Sequence, residues 1–338
     1  MTRALLVSIL KPSGALRACG VALLCAMLSG CQPAMGAHAP ELALGTYEWP
    51  GSYWVDIAIN KGWFDEAGLK IKRVDVDLKY FASLGLVATG QLDAIGFSQY
   101  DLVRHVAKGE DLVGVAAIDY SEGAEALVAR AGINSLKDLK GKTLALPRGT
   151  YLDYLLDVFA QREGVDLSSI RIVDRSTDLA YEDFKNGKVD AILAWEPWVR
   201  VANEAGGHVI VSTLDLPGLT YSVLTFRRSF VEQHREQVQA LVRIWHRAER
   251  YIHDHPEESC RIVAAAFGED LNDVKYLLQV DRVLDLADNS RAFSYAAGFE
   301  SLHGSWRRMN DFMLDHGMVA ERVDSPSHLD ASFLRRLH

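Results

Sequence analysis

Aromatic and acidic side chains that could bind a small solute stand together in the stretch AWEPW, residues 194–198. Trp195 is large and amphipathic, which suits the wall of a solute site. Glu196 precedes a proline and is therefore held extended, where it could accept hydrogen bonds from an amine or a ring NH. The alternative is that Glu196 ties its own loop to nearby backbone N–H groups. Trp198 is predicted to pack in the core.

A second stretch, TYEWPGSYW at residues 46–54, is rich in aromatic side chains for a loop. We predict that Tyr47 and Trp49 face a solute, whereas the spacing of Tyr53 and Trp54 is typical of the core face of a helix. The backbone N–H groups at the start of that helix could also hold an anionic oxygen, because they have no partner within the helix.

Ser98 and Gln99, in the stretch SQYD, are a third candidate, because they offer a hydroxyl and an amide to a polar ligand. The alternative for Ser98 is a plain helix cap, in which its hydroxyl accepts a backbone N–H group. Thr150 is placed to cap a helix predicted over the run GTYLDYLLDVFAQREG. All three residues follow a predicted strand.

Short apolar runs alternate with amphipathic stretches from residue 41 onward, which is typical of βα units around a mostly parallel sheet. Ligands of such sheets bind beyond the carboxyl ends of the strands, where the candidate residues stand. One phrase occurs twice, as GQLDAI at residues 90–95 and as GKVDAI at residues 187–192. We interpret the two as equivalent strands of two similar lobes; the alternative is coincidence, since Gly often ends helices and Asp forms turns.

Helical periodicity dominates the chain beyond residue 230. Five apolar residues fall on one helical stripe: Val238, Leu241, Val242, Trp245 and Ile252. This stripe predicts a long helix that Pro256 ends. We predict further helices over residues 257–267, 273–286 and 293–316.

Residues 1–30 have the composition of an export signal. Their only charges are Arg3, Lys11 and Arg17, and an apolar run of 11 residues, ACGVALLCAML, precedes the small residues SGC. A membrane-spanning helix needs roughly twenty apolar residues, so this run is too short to span. The alternative is a buried N-terminal helix. The tail LSGC resembles the lipobox of bacterial lipoproteins, which implies cleavage before Cys31 and a lipid on its thiol.

The lipobox resemblance implies that Cys31 anchors the mature chain on the periplasmic side of a bacterial membrane. The next residue, Gln32, is not an Asp, which favours the outer membrane. Residues 31–40 carry no charge and no helical periodicity, so we interpret them as a tether. If Cys31 is not cleaved, the anchor fails while export can still hold.

The mature chain is acidic. Without residues 1–30 the 36 basic residues fall to 33 against 45 acidic ones, a net charge of −12. Nucleic acid is therefore not expected as a partner, because phosphate binding needs a basic surface. Cys260 is predicted to be a buried, inert thiol. We expect no cofactor and no metal, since His253 and His255 lack spaced partners.

Five phrases, in this order and at these spacings, resemble a known family. They are IAINKGWFDEAGL (57–69), GQLDAIG (90–96), DYSEGAEALVAR (119–130), INSLKDLKGKTLALPRGT (133–150) and GKVDAILAWEPW (187–198). From about residue 42 to residue 318 the chain resembles periplasmic substrate-binding proteins of the nitrate/taurine/sulfonate type, which serve ABC importers. Binders and synthases of thiamine-pyrimidine precursors share that domain family.

The resemblance implies an α/β fold of the type II periplasmic binding proteins, with two lobes that each hold a mostly parallel sheet flanked by helices. The limits it implies are residues 41–127 for the first part of lobe one, 128–221 for lobe two, and 222–338 for the return to lobe one and the C-terminal helices. The segments that cross between the lobes would lie near residues 126–131 and 221–226.

The family pattern also implies site residues. Ser121 would stand beside the first crossing, where backbone N–H groups meet the ligand. Gly149 and Thr150 would form the strand-to-helix turn of lobe two and approach the ligand with backbone N–H groups. Arg148 could pair with an acidic group, although an exposed Arg is the alternative.

The resemblance implies a solute-binding protein that delivers a small molecule to an ABC permease, and not an enzyme. One alternative is a lipid-anchored sensor of the same fold. Another is an enzyme of pyrimidine-precursor synthesis, although Cys260 alone does not make the cysteine-rich motif of the related synthases. Aromatic side chains near Glu48, Asp119, Asp153 and Glu196 suit an amine, a cation or a nitrogen heterocycle, with a sulfonate as the alternative ligand.

Overall fold

The structure is a computed structural model that describes residues 41–76 and 80–337. The predicted export signal, the tether and the lipid-bearing Cys31 lie outside these described residues. Within the described ranges, no helix combines the length and the apolar character that crossing a membrane requires.

One sheet takes strands from both ends of the described chain. With strands numbered along the chain, it consists of β1 (Leu42–Thr46), β2 (Ile71–Asp75), β3 (Ala94–Ser98), β4 (Leu112–Ser121), β10 (Tyr221–Arg227) and β11 (Asp281–Val283). These strands lie in the order β11-β4-β10-β3-β1-β2. β1 pairs in parallel with β2 and β3, whereas β10 runs antiparallel to β3 and β4. All residues of β3 are buried, as expected for a strand covered on both faces.

The other sheet comes from the middle of the chain. It consists of β5 (Glu125–Arg130), β6 (Thr143–Leu146), β7 (Arg171–Asp174), β8 (Ala191–Trp195) and β9 (Gly207–Ser212). The order is β7-β6-β8-β5-β9, with β6 parallel to β7 and β8 and with β5 antiparallel to β8 and β9. Each sheet therefore sets three parallel strands beside an antiparallel one, and the two sheets are the centres of two lobes.

The repeated sequence, GQLDAI at residues 90–95 and GKVDAI at residues 187–192, lies at equivalent positions in the two lobes. β3 lies between β1 and β10, and β8 lies between β6 and β5. The strand pairing is also equivalent. The alanine of the repeat pairs with a leucine of the neighbouring parallel strand in both sheets, Ala94 with Leu44 and Ala191 with Leu144. The prediction of two equivalent strands is confirmed.

The residues shared by the repeat have a structural role. Gly90 (φ 77°) and Gly187 (φ 75°) both adopt the left-handed conformation that favours glycine. Asp93 accepts a backbone N–H group of β1 and Asp190 accepts one of β6, both at 2.8 Å. Each carboxylate thus fixes the beginning of the neighbouring parallel strand. The requirements of strand geometry explain the repeated residues. The residues that follow the repeat differ between the lobes and are not bound by these requirements.

The chain passes between the sheets twice. β5 belongs to the second sheet and β10 to the first, so the passages are residues 122–124 and residues 213–220. The crossings expected at residues 126–131 and 221–226 are wrong by a few residues, because those segments are themselves paired strands. Each strand is assigned to the lobe whose sheet it joins, so Glu125 in β5 counts with lobe two. The predicted domain boundaries after residues 127 and 221 stay a prediction.

Helices cover the sheets and form the C-terminal part. In the described residues they are α1 (Tyr53–Asn60), α2 (Trp63–Glu66), α3 (Tyr80–Ala88), α4 (Gln99–Ala107), α5 (Tyr151–Glu163), α6 (Thr177–Lys185), α7 (Trp198–Glu204), α8 (Arg228–Gln233), α9 (Arg235–Asp254), α10 (Pro256–Phe267), α11 (Leu271–Val280), α12 (Leu286–Ala292) and α13 (Leu302–Asp315). The apolar stripe predicted for α9 is buried throughout, which confirms that helix.

Two of the predicted C-terminal helices are wrong in extent. The span 273–286 is α11 followed by the strand β11, and the span 293–316 holds only α13 after the separate helix α12. A strand of three residues is too short to produce its own period in the sequence. β11 matters because it brings Asp281 to the end of β4.

Candidate functional site

Trp49 and Asp281 join two distant parts of the first lobe. The Trp49 indole Nε1 donates a hydrogen bond to Asp281 Oδ2 at 3.0 Å. Asp281 begins β11, where it pairs directly with Ser121 at the end of β4. Because directly paired residues present their side chains on the same face of a sheet, Asp281 and Ser121 share one face. The turn after β1 therefore meets the ends of β4 and β11.

Hydrogen bonds hold the two passages of the chain together. Ser121 Oγ and Thr213 Oγ1 are 2.6 Å apart, and the Gly123 N–H group donates to Thr213 Oγ1 at 3.0 Å. The Thr213 hydroxyl also reaches the backbone carbonyl oxygen of Glu125 at 3.3 Å. Ser121 and Thr213 are both buried. We call this linkage, residues 121–125 with Thr213, the crossover junction.

The second lobe adds a carboxylate and two rings beside the crossover junction. Glu125 Oε1 accepts a hydrogen bond from the Tyr151 hydroxyl at 3.1 Å. The Tyr151 ring stacks on Trp195, with centroids 6.0 Å apart and an angle of 24° between the planes. Trp195 ends β8 directly opposite Glu125 in β5. Contacts thus run without a break from Trp49 in lobe one to Trp195 in lobe two.

Asp119 lies under the turn that precedes α1. It is buried two residues before Ser121, on the same face of β4. A Cβ atom on Gly51 would lie only 1.8 Å from Asp119 Oδ2, so the Gly51 backbone sits directly against this carboxyl group. Hydrogen bonds from Ser222 and from the Gly51 N–H group reach Asp119 and lower its pKa. The Asp119 carboxyl therefore takes up the Gly51 N–H group at the start of this helical segment.

Burial makes charge unfavourable at three neighbouring carboxyl groups. Burial, with the charge of Glu125 as a smaller cause, raises the pKa of Asp119 to about 7. Burial and then the charge of Asp119 raise the pKa of Asp281 well above its ordinary value. The pKa of Glu125 is raised mainly by burial, against the lowering effect of hydrogen bonds. Strongly shifted groups of this kind are concentrated at functional sites.

Ser98, Gln99 and Tyr47 lie at the first-lobe strand ends and outside the chain of contacts just described. Ser98 Oγ accepts the Asp101 N–H group at 3.2 Å and donates to the Asp101 carboxylate at 2.6 Å, so the helix-cap alternative is confirmed. Gln99 Nε2 donates to the carbonyl oxygen of Leu302 at 2.6 Å. Tyr47 is buried just after β1. Ligand contact by these three residues stays a prediction.

Gly149 and Thr150 form the turn that positions Tyr151. Thr150 Oγ1 accepts the Leu152 N–H group at 3.2 Å, which confirms the predicted helix cap. Gly149 has a φ of 72° and open space beside its Cα atom. Its N–H group donates to Asp153 Oδ2 at 2.6 Å, and Arg148 pairs with the same carboxylate at 2.7 Å.

Glu196 is buried and has hydrogen bonds to both oxygens. Oε2 accepts the Arg200 N–H group at 3.2 Å, so the loop-tying alternative is confirmed for this oxygen. Oε1 accepts the hydroxyl of Tyr276 in α11 at 2.7 Å, a link to the C-terminal helices that was not predicted. Burial raises the pKa of Glu196, and the Tyr276 hydrogen bond opposes that shift.

Four residues of this contact chain were not predicted from the sequence: Glu125, Tyr151, Thr213 and Asp281. Glu125 had a usable signal, because a single acid stands at the head of the apolar run ALVA that forms a buried strand. Tyr151 had a weaker signal as the residue after the predicted cap. Thr213 and Asp281 had none, since only the folded chain brings them to the end of β4.

The described residues offer little support for metal or thiol chemistry. Within them, no group of three or more His, Cys, Asp and Glu side chains is arranged to hold a metal ion. Cys260 is a buried free thiol, as predicted, and burial raises its pKa. A nucleophilic cysteine requires a lowered pKa, so Cys260 does not fit a catalytic role.

Known proteins resemble this chain in sequence and in fold. A putative aliphatic sulfonates-binding protein of Bacillus subtilis is 28% identical over 294 residues, which is 83% of each chain. A putative thiamine biosynthesis protein of Haemophilus influenzae is 21% identical over 298 residues, 86% of this chain and 91% of that protein. The crystal structure of the periplasmic aliphatic sulphonate binding protein of Escherichia coli superposes with a TM-score of 0.72 at 19% identity and covers 86% of this chain and 92% of that one.

A family model described as NMT1/THI5 like matches residues 51–259, more than half of the chain. The matched span includes the turn with Gly51, the crossover junction and the whole second sheet. This protein therefore belongs to the NMT1/THI5-like family and has the two-lobe fold of the periplasmic binding proteins.

Proposed function

We propose that this protein captures a small organic solute between its two lobes and delivers it to the permease of an ABC importer. The crossover junction carries this proposal, because Trp49 and Asp281 of one lobe are linked through it to Glu125 and Trp195 of the other. A solute held there touches both lobes, so its binding free energy favours the closed arrangement. The closed protein then presents both lobe surfaces to the permease.

The proposed ligand contacts are the predicted residues: Tyr47, Trp49, Ser98, Gln99, Ser121, Gly149, Thr150, Trp195 and Glu196. Trp49, Ser121 and Trp195 are central, because they belong to the contact chain through the crossover junction. The ligand class is an amine, a nitrogen heterocycle or a sulfonate. Sulfonates enter because relatives carry that name, and the other two enter because aromatic rings and carboxyl groups meet at the junction.

The proposed location is the periplasmic face of a bacterial membrane, with the outer membrane favoured and with lipid on Cys31 as the anchor. Labelling cells with radioactive palmitate tests the anchor. We expect label on the wild-type protein and none on the Cys31→Ala variant, which would be found in the soluble fraction. An unlabelled wild-type protein would contradict the anchor and leave solute binding unaffected.

A lipid-anchored sensor is the second candidate function, since the same fold and cleft would serve it. Catalysis is less well supported, because the aliphatic sulfonate relatives are binding proteins by name and because Cys260 is buried. Recovery of the bound compound separates these possibilities: a binding protein releases it unaltered, whereas an enzyme converts it.

Thermal unfolding in the presence of amines, pyrimidines, sulfonates and nitrate tests solute binding. A ligand raises the stability by RT ln(1 + [L]/Kd), so micromolar ligands give a measurable shift at millimolar concentration. We expect Trp195→Ala to lose the shift while it stays folded. Trp198→Ala is the matched control, because Trp198 packs on Tyr181 away from the crossover junction. If the Trp195 variant keeps the full shift, its proposed role is wrong.

A further inference from the structure

The geometry points to a solute that carries a positive charge, an organic ammonium or a related cation, bound by the carboxyl groups of Asp119, Glu125 and Asp281. We call these three residues the acid triad. This inference rests on the proposed function, because it names the ligand class of the same cleft. It separates the protein from relatives that are named for sulfonates.

Each member of the acid triad has an unused oxygen. Asp119 and Asp281 are 1% exposed and Glu125 is 4% exposed. Among the described residues, Asp119 Oδ2, Glu125 Oε2 and Asp281 Oδ1 have no hydrogen-bond partner. A buried polar atom without a partner is costly in a folded protein. An ammonium group donates up to three hydrogen bonds and accepts none, so its chemistry is complementary to unpaired carboxyl oxygens.

The Tyr53 hydroxyl is a second buried polar group without a hydrogen-bond partner among the described residues. Tyr53 is 1% exposed and its hydroxyl has no partner within the described ranges. It lies close enough to Asp281 that this carboxylate contributes to the raised pKa of Tyr53, after burial and Glu48. Tyr53 is therefore a second buried residue, within electrostatic range of Asp281, whose polar atom a bound polar group would satisfy.

The backbone N–H group of Gly51, before α1, is already bonded to a carboxyl group of the protein. The first N–H groups of a helix attract anions, and the turn before α1 would offer them to a sulfonate. Here the Asp119 carboxyl group lies against Gly51 and accepts its N–H group. A sulfonate at this position would meet the Asp119 carboxylate in place of the Gly51 N–H group, so an anionic ligand is repelled where a cation is attracted.

Aromatic rings complete the environment that a cation requires. The Trp49 indole contacts Asp281, and the stacked rings of Tyr151 and Trp195 stand beside Glu125. Ring faces attract ammonium groups, and more strongly when the site excludes water. Among the described residues, no group of His, Cys, Asp and Glu side chains is arranged to hold a metal ion, so the acid triad is not proposed as a metal site.

Affinity for a cation should depend on pH. Around the acid triad lie Glu48, Tyr53, Glu122, Tyr151 and Arg282. Arg282 is paired with Asp288 at 3.0 Å, so it is not the counter-ion of the triad. Burial raises the pKa of each triad carboxyl group, and the neutral form attracts an ammonium less. An alkylamine stays charged up to about pH 10, so its binding should strengthen from pH 5.5 to pH 8 with release of protons.

Three probes with one carbon skeleton test the charge of the ligand: benzylamine, benzyl alcohol and phenylmethanesulfonate, each titrated into the full-length protein at pH 8. We expect benzylamine to raise the midpoint of thermal unfolding and the other two to leave it unchanged. Asp281→Asn and Glu125→Gln should each weaken amine binding roughly thirtyfold or more, because a buried charge loses its partner. Asp65→Asn, in the exposed part of α2, is the control and should bind as the wild type does.

The outcomes separate the inference from the proposed function. Stabilisation by the sulfonate and not by the amine overturns the cationic ligand while it supports solute binding. Stabilisation by none of these probes, nor by n-butylamine or butanesulfonate, overturns both. If the acid-triad variants do not fold, the pH profile of the wild-type protein decides: amine affinity that is flat or falls between pH 5.5 and pH 8 overturns the inference.

Discussion

The buried carboxyl groups of the acid triad reduce the stability of the protein, because each has an oxygen without a partner among the described residues. Asp281 shows this most clearly, because one oxygen accepts the Trp49 N–H group and the other has no partner among the described residues. Natural binding sites commonly retain such unfavourable groups, since selection requires function and only sufficient stability. The acid triad is therefore expected to be both a weak point and the centre of recognition.

Asp281→Asn should stabilise the ligand-free protein at pH 8. The unfolded Asp ionises near pH 4, whereas burial and the charge of Asp119 disfavour ionisation in the folded state. A neutral amide removes that penalty, and we expect a gain of about 1 kcal/mol or more in the free energy of unfolding, within the usual range for one substitution. Urea unfolding at pH 8 and at pH 4.5 measures it, and the gain should shrink at pH 4.5. Equal destabilisation at both pH values would contradict this account.

Glu196 holds the second lobe to the C-terminal helices through Tyr276. Tyr276→Phe leaves a buried carboxylate with one acceptor unsatisfied, and we expect it to lower the free energy of unfolding by roughly 1–3 kcal/mol. Tyr295→Phe is the matched control, because Tyr295 is 77% exposed. Urea unfolding compares the two variants, and equal stability would show that the hydrogen bond contributes nothing.

At the scale of elements, the lobes repeat one strand arrangement, and the sequence carried enough signal to predict it. The phrase GxxDAI marked β3 and β8 because its Gly and Asp meet the same backbone requirements in both sheets. β11 could not be predicted, because its residues DRV lie inside the helical spacing of the apolar residues Leu277, Val280 and Leu284. The expected crossings came from the family resemblance, and the structure places them a few residues earlier, at residues 122–124 and 213–220.

Asp93 and Asp190 have the same role in the two lobes, so substituting either should have the same effect. Asp93→Ala and Asp190→Ala each remove the acceptor of a strand N–H group, and we expect each to cost roughly 1–3 kcal/mol of unfolding free energy. Asp93→Asn and Asp190→Asn keep an acceptor oxygen and should retain most of the stability. Urea unfolding of the four variants checks this. A large cost in one lobe and none in the other would contradict the equivalence of the two strands.

The whole molecule should lose stability as the pH rises. Burial raises the pKa of Asp119 to about 7 and that of Glu249 to about 8. The unfolded chain ionises these acids near pH 4, so above that pH the folded state binds more protons and the free energy of unfolding falls until the folded groups ionise. The pKa of buried His303 is lowered, which acts in the opposite direction, but only up to about pH 6.5.

Between pH 6.5 and pH 8, the change in unfolding free energy therefore reflects the buried acids Asp119 and Glu249 without the opposing effect of His303. We expect the free energy of unfolding of the ligand-free protein to fall across this window, by at most about 1.4 kcal/mol per pH unit for each group. Urea unfolding at half-unit steps measures the slope. Glu249→Gln should flatten it, and a stability that rises from pH 6.5 to pH 8 would contradict the raised pKa values.

The central claim is that one solute is held by both lobes at the crossover junction. Hydrogen–deuterium exchange of the full-length protein, with and without the solute that gives the largest thermal stabilisation, tests it most directly. We predict slower exchange in the segment that follows β1 and contains Trp49, and also in the segment around Tyr151 and Trp195, which belong to different lobes. Slower exchange confined to one lobe, or located away from the crossover junction, would contradict the account.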